Sequence, residues 1–146
     1  MMFEGLKDKI CRINCMTEEI DSLYHQAAVK LGVSDSVLFV LYMTYINDGQ
    51  CLLYDICRLS GISKQTINSA IRKLEYEDIL YLEKQDGKSK MVHLTEKGKV
   101  YAGQTAAKLY KAEYNAFRDW SVEEVNLYLR LIEKQHDSLR KQIEKI

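Results

Sequence analysis

Ser63-Lys64-Gln65-Thr66-Ile67-Asn68-Ser69-Ala70-Ile71-Arg72-Lys73 is the stretch of this 146-residue sequence whose side chains point most directly to a chemistry. It carries positive charge at Lys64, Arg72 and Lys73 and no negative charge. On a helix that turns Ile67, Ile71 and Leu74 inward, Lys64, Gln65, Asn68 and Arg72 share the outer side. Arginine and lysine donate to guanine, and asparagine and glutamine pair bidentately with adenine. The hydroxyls of Ser63, Thr66 and Ser69, with the free amides of a first helical turn, suit phosphate oxygens. A merely solvated helix face mixes both charge signs and more glutamate, so the segment predicts a surface that reads the major groove. Lys84, Lys88 and Lys90 form a second basic group around Asp86. On a hairpin tip they would reach phosphates or the minor groove, although lysine is also common there as edge protection.

Other reactive side chains are sparser. The cysteines are Cys11, Cys15, Cys51 and Cys57, without a C-x-x-C pair, and His25, His93 and His136 are far apart in sequence. These spacings predict free thiols, no metal site and no cofactor. Cys11 and Cys15 stand one helical turn apart, with Lys9 and Arg12 close enough to lower a thiol pKa, so they are the candidates for redox sensing; simple packing is the blander alternative. Tyr42, Tyr45 and Tyr101 are candidates for lining an aromatic effector pocket, with core packing as the alternative. No Gly-rich phosphate loop, G-x-S-x-G or H-E-x-x-H occurs, so no enzymatic activity is expected.

Composition narrows the class further. Twenty-one basic residues balance twenty-one acidic ones. That excludes a polycation binding nucleic acid by bulk charge and requires a local basic patch instead. Hydrophobic residues make up 47% and charged residues 29%, the profile of a globular chain with one core. There is no run of eighteen apolar residues and no apolar stretch behind the first charges, so no membrane association is expected and the cytoplasm is the expected location.

The elements that must position these groups follow from periodicity and caps. Ile13, Met16, Ile20, Leu23, Ala27 and Leu31 recur at helical steps and predict a helix over residues 7–31, stopped by Gly32. Ser34 caps a second helix with Val37, Leu38, Leu41, Tyr45 and Ile46 inward. Residues 52–59 form a short helix with Leu53, Ile56 and Leu59 inward. Ser60-Gly61-Ile62 turns the chain, and Ser63 caps the basic helix, giving a helix-turn-helix. Ile79–Glu83 and Met91–Leu94 are β-prone and flank an Asp-Gly turn, which predicts a two-stranded wing. Thr95 caps a long helix from Glu96 to about Arg118. Ser121 and Glu124 form a capping box, with Trp120 and Val125 as its staple. The last helix carries Val125, Leu129, Ile132, His136, Leu139 and Ile143 as a heptad seam.

The predicted fold is therefore mainly α with a small β-hairpin wing: a winged helix-turn-helix with long N- and C-terminal dimerisation helices. The expected organisation is one domain over 1–146, with the winged module at 34–98 and helical dimerisation regions at 1–33 and 99–146. Sustained apolar stripes on the terminal helices need a partner, and a second copy of the chain is the expected one.

In this order of elements, and in Leu59-Ser60-Gly61-Ile62-Ser63 through Leu74-Glu75, the wing, and Val92-His93-Leu94-Thr95-Glu96-Lys97-Gly98, the chain resembles MarR-type transcriptional regulators. The resemblance implies a homodimer that binds a pseudo-palindromic site on double-stranded DNA. Gln65, Thr66 and Asn68 match the family's base-reading positions, and Arg72 matches one that often meets phosphate. It also implies a cavity for a small aromatic or anionic effector. The family commonly has glycine where this chain has Asp78. Its wing often carries aspartate, one residue, then arginine, where this chain reads Asp86-Gly87-Lys88. Lysine lacks arginine's planar fork, so affinity is expected to rest more on the recognition helix. Some relatives sense hydroperoxides with a first-helix cysteine and two tyrosines. Cys11 is about one residue out of that register, Tyr24 is near one tyrosine position, and Asp35 occupies the other. Two alternatives stay open: a thiol-based redox regulator of the same fold, and a winged-helix module that binds protein rather than DNA.

Overall fold

The computed structural model describes residues 4–87 and 89–146. The elements are α1 (Glu4–Leu31), α2 (Asp35–Ile46), β1 (Gln50–Leu52), α3 (Leu53–Ser60), α4 (Lys64–Tyr76), β2 (Leu80–Lys84), β3 (Lys90–Leu94), α5 (Glu96–Gln104), α6 (Ala106–Phe117) and α7 (Val122–Ile143). The chain divides into two compact units, the first ending at Tyr110 and the second running from Lys111 to Ile146. Among the described residues, no single helix is long and apolar enough to cross a membrane.

Capping residues set most helix starts. Ser34, Ser63, Thr95 and Ser121 each accept from the amide three residues on, at Val37, Thr66, Gly98 and Glu124. The Ser121–Glu124 box is reciprocal: the Glu124 amide donates to Ser121 Oγ at 3.1 Å and the Ser121 amide to Glu124 Oε1 at 3.0 Å. Gly61 ends α3 in the left-handed region at φ 64°. Asp78 adopts φ 60° just after α4, where a glycine would be unstrained. Asp78→Gly is accordingly expected to raise stability by about 0.5–1 kcal/mol, part of the relief being offset by the more flexible unfolded chain. An unchanged or lower denaturant midpoint would show that aspartate sits there without cost.

The core belongs to the first unit. Leu41, Ile56, Ile67, Leu74, Leu80 and Val92 are its largest fully buried side chains. Helix α2 runs through this core and is buried on nearly every side, rather than along one stripe, at Val37, Leu38, Val40, Leu41, Met43 and Thr44. Thr44 is accommodated because its hydroxyl donates to the Val40 carbonyl at 2.9 Å, with the Leu41 carbonyl at 3.0 Å.

Several sequence-based expectations need correction. The wing is part of a three-stranded antiparallel sheet in the order β1-β3-β2, with Cys51 opposite Val92 and Leu82 opposite Val92 on the other side. Strand β1 has only three residues, too few for an alternating pattern to show. The long helix after Thr95 breaks at Thr105, whose hydroxyl donates to the Tyr101 carbonyl at 2.8 Å. Such back-bonding bends helices, and here α5 ends and α6 begins. Tyr45, Ile46 and Leu59 are exposed rather than inward.

In the second unit, α7 has no buried residue. Trp120 packs edge-on against Phe117 and Tyr128, with ring centroids 4.8 and 5.7 Å away, and closes the turn between α6 and α7.

Candidate nucleic-acid interface

Helix α4 buries Ile67, Ala70, Ile71 and Leu74. That leaves Lys64, Gln65 and Arg72 exposed and Asn68 half-buried. The basic face expected from the sequence therefore forms. Its hydroxyls are partly engaged within the helix. Ser63 Oγ accepts from the Thr66 amide at 3.2 Å and donates to Thr66 Oγ1 at 2.8 Å. Ser69 donates to the Gln65 carbonyl at 3.0 Å and accepts from Arg72 at 3.4 Å. Ser69 thus steadies the Arg72 guanidinium on the outer face.

Beside α4 lies a groove of about 1010 Å³ between α3, α4 and the wing. Leu52, Leu53, Ile71 and Leu82 contribute its apolar lining, while Arg58, Lys64, Arg72 and Lys90 contribute positive charge. Glu75 is the one acidic residue among its lining. The chain has no net charge, yet here four cations stand against one carboxylate. Of the acidic residues near α4, Glu77 and Asp78 lie past its end, and Glu83 is 3.0 Å from His93 Nε2. His93 also stacks on Tyr81, with centroids 4.9 Å apart.

Arg58 and Tyr54 are the residues that sequence reasoning missed. Both belong to α3, and only the tertiary fold brings them beside α4. Arg58 also pairs with Asp55 at 3.3 Å.

The wing is tied to this groove by a long-range cap. Leu52, the N-cap of α3, offers no side-chain acceptor. The Tyr54 amide instead donates to Ser89 Oγ at 3.1 Å, across 35 residues of sequence. A serine from the wing thus satisfies a free amide of the helix-turn-helix. Ser89→Ala is expected to cost about 1 kcal/mol and to speed hydrogen exchange at the Tyr54 amide. Unchanged exchange there would show that the cap does not hold the wing.

The Leu94-Thr95-Glu96-Lys97-Gly98 run forms the other anchor. Thr95 donates to the Asp78 carbonyl at 2.6 Å and accepts from the Gly98 amide at 2.9 Å. Lys97 donates to the Glu77 carbonyl at 2.8 Å, at the C-terminus of α4. Gly98 approaches so closely that a Cβ there would overlap the Ile79 carbonyl oxygen. One short run therefore fixes the end of α4, the start of the wing and the start of α5.

Residues 31–89, which span this helix-turn-helix and most of the wing, match the MarR family. The fold is that of the MarR family. A MarR family regulator from Neisseria meningitidis (NMB1585) superposes with a TM-score of 0.77 at 18% identity, over 97% of this chain and 98% of that one. A MarR family regulator from Listeria monocytogenes, complexed with a 26mer DNA, gives 0.66 at 17% identity over 91% and 89%. The PcaV regulator from Streptomyces coelicolor, in complex with its natural ligand, gives 0.61 at 13% identity over 85% and 91%. No curated protein matches the sequence.

The remaining expected site residues fall at several places in the MarR fold. Lys90 borders the groove and Lys84 is exposed on β2, whereas Lys88 lies outside the described residues. Tyr42 and Tyr101 are half-buried against the core of the first unit. Tyr45 is exposed and meets Tyr110 edge-on at 6.3 Å. None of the three tyrosines lines the groove beside α4.

Cys11 and Cys15 are exposed on α1. A hydrogen bond with Cys11 raises the pKa of Cys15, followed by the Cys11 charge and the nearby Glu19. A thiol that holds its proton is the opposite of an activated nucleophile. Burial likewise pushes Cys51 up, with Asp55 adding to the effect. Each histidine has an acidic neighbour. His25 Nδ1 is 3.0 Å from both Asp35 oxygens, joining α1 to the start of α2, and His136 Nδ1 is 3.0 Å from Asp137. The hydrogen bond from His136 lowers the Asp137 pKa.

Proposed function

We propose that this chain is a cytoplasmic, non-enzymatic transcriptional regulator that binds a pseudo-palindromic operator as a homodimer and is released by a small aromatic or anionic effector. The observation that carries this reading is the outer face of α4, where Lys64, Gln65, Asn68 and Arg72 stand beside a cationic groove. Lys64, Gln65 and Asn68 there supply donors for base edges, while Arg72, Ser63, Thr66 and Ser69 meet phosphates together with Lys90 of the wing. The family match over residues 31–89 and the likeness to a DNA-bound regulator support it.

Homodimerisation rests on uncovered apolar surface. Leu6, Ile10, Ile13, Met16, Ile20 and Leu23 of α1, and Leu129, Ile132, Leu139 and Ile143 of α7, are each between 41% and 60% exposed. Helices with such stripes are stable in water when a partner covers them. In the proposed organisation, residues 34–98 read DNA and the helical regions at 1–33 and 99–146 join the two copies. Two recognition helices would then meet half-sites about one helical turn apart. Effector binding near Tyr42, Tyr45 and Tyr101 would change the spacing of the two reading heads. The ligand complex of PcaV supports a small-molecule effector.

A protein-binding winged helix is the second reading, and the acidic residues near the end of α4 favour it. Fluorescence anisotropy separates the two, using labelled duplex from upstream of the gene, a scrambled duplex and two salt concentrations. Sequence-selective binding that weakens with salt is the expected result. A folded dimer that binds neither duplex at low salt would overturn the DNA reading in favour of a protein partner.

A further inference from the structure

Helix α1 carries a row of side chains one turn apart: Lys7, Cys11, Cys15 and Glu19. At about 100° per residue, this row lies on the opposite side of the helix from Leu6, Ile10, Ile13, Met16, Ile20 and Leu23. The two thiols are therefore not part of the apolar stripe that calls for a partner helix. Both are exposed, one helical turn apart on α1.

Residues four apart on a helix hold their Cβ atoms about 5–6 Å apart. A disulfide needs a Cβ separation of about 3.5–4.5 Å, so direct S–S closure would deform the helix. A metal–thiolate bond of about 2.3 Å on each side bridges the wider gap with the helix intact. Among the described residues, no group of three or more histidine, cysteine or acidic side chains is placed to hold a metal ion. A site on this face would therefore have two protein ligands. Soft thiolates select monovalent copper.

We propose that Cys11 and Cys15 form a two-coordinate dithiolate site for a soft monovalent cation, with Cu(I) as the biological case. Two S–H bonds break, two S–Cu bonds form and two protons go to solvent. Copper stays monovalent and no electron is transferred. Lys7, one turn before Cys11, offsets part of the resulting negative charge, while Glu19, one turn after Cys15, opposes it. Both ligands bind as thiolates, so binding tightens as pH rises. The site is independent of the DNA-binding reading.

The test is an anaerobic titration of the reduced full-length protein with Cu(I) against a chromophoric Cu(I) chelator. One ion per chain is expected. Cys11→Ser and Cys15→Ser should each weaken binding by about 100-fold or more, because the second thiol acts at high effective concentration. Cys57→Ser should leave binding unchanged, and X-ray absorption should report two sulfur neighbours. Circular dichroism confirms that the exposed serine variants keep their helix content. Wild-type affinity in a Cys11→Ser/Cys15→Ser double variant would overturn the proposal. So would loss of binding in Cys57→Ser, or a limit of half an ion per chain.

Discussion

Gly98→Ala is expected to lower the stability of this protein by about 3 kcal/mol or more, and its melting temperature by roughly 6–12 °C. Helix propensity alone predicts the reverse, since alanine is favoured over glycine in a helix by about 1 kcal/mol. The sign is decided by what the new methyl group would meet. The Ile79 carbonyl oxygen occupies its place, the Ile79 carbonyl carbon would be 2.9 Å away, and Thr95 Oγ1 3.3 Å away. Backbone cannot swing aside as a flexible side chain can. The same Ile79 carbonyl accepts from the Thr95 amide at 3.0 Å. Relief would therefore require α5 to pull away from the end of α4, breaking the Thr95 and Lys97 bonds as well. Thermal and urea unfolding followed by circular dichroism check this directly. A melting temperature equal to or above the wild-type value would show that the junction opens freely.

Replacing Arg72 or Asn68 with alanine is expected to weaken operator binding strongly and in different ways. Arg72 is exposed at the edge of the cationic groove and steadied by Ser69, which suits a phosphate contact. Arg72→Ala should weaken binding to all duplexes alike and reduce the slope of log affinity against log salt by about 1. Asn68, half-buried on the same face, suits an adenine edge. Asn68→Ala should cost about 1–3 kcal/mol on the operator and relax preference at one position, leaving the salt slope unchanged. Anisotropy over a salt series, with operator and scrambled duplexes, distinguishes the two patterns. Equal affinity of both variants and wild type would remove α4 from the interface.

Much of this architecture was legible in the residues because its determinants are local. Ser34, Ser63, Thr95 and Ser121 mark helix starts through bonds to amides three residues away. The apolar spacing of Ile67, Ala70, Ile71 and Leu74 orients α4, and with it the polar residues on its outer face. Where the expectation failed, a neighbour distant in sequence had decided the outcome, or a local signal had been too weak to show. Strand β1 exists because β3 pairs with it. Tyr45 was assigned inward by spacing, yet α2 runs through the core and its last turn emerges from it. The break at Thr105 falls in a stretch whose periodicity otherwise continues, so spacing alone does not show it.

The order of the main helices and of the two wing strands, the basic helix α4 and its polar residues were determined by the sequence itself, through helical spacing, caps and charge placement within a few residues. Only the tertiary structure decided that Arg58 joins Lys64, Arg72 and Lys90 around one groove, that Ser89 caps α3 from the wing, and that Gly98 leaves room for the Ile79 carbonyl. Those are contacts between segments far apart in the chain. Their geometry follows from how the elements pack on the common core, and no local pattern encodes it.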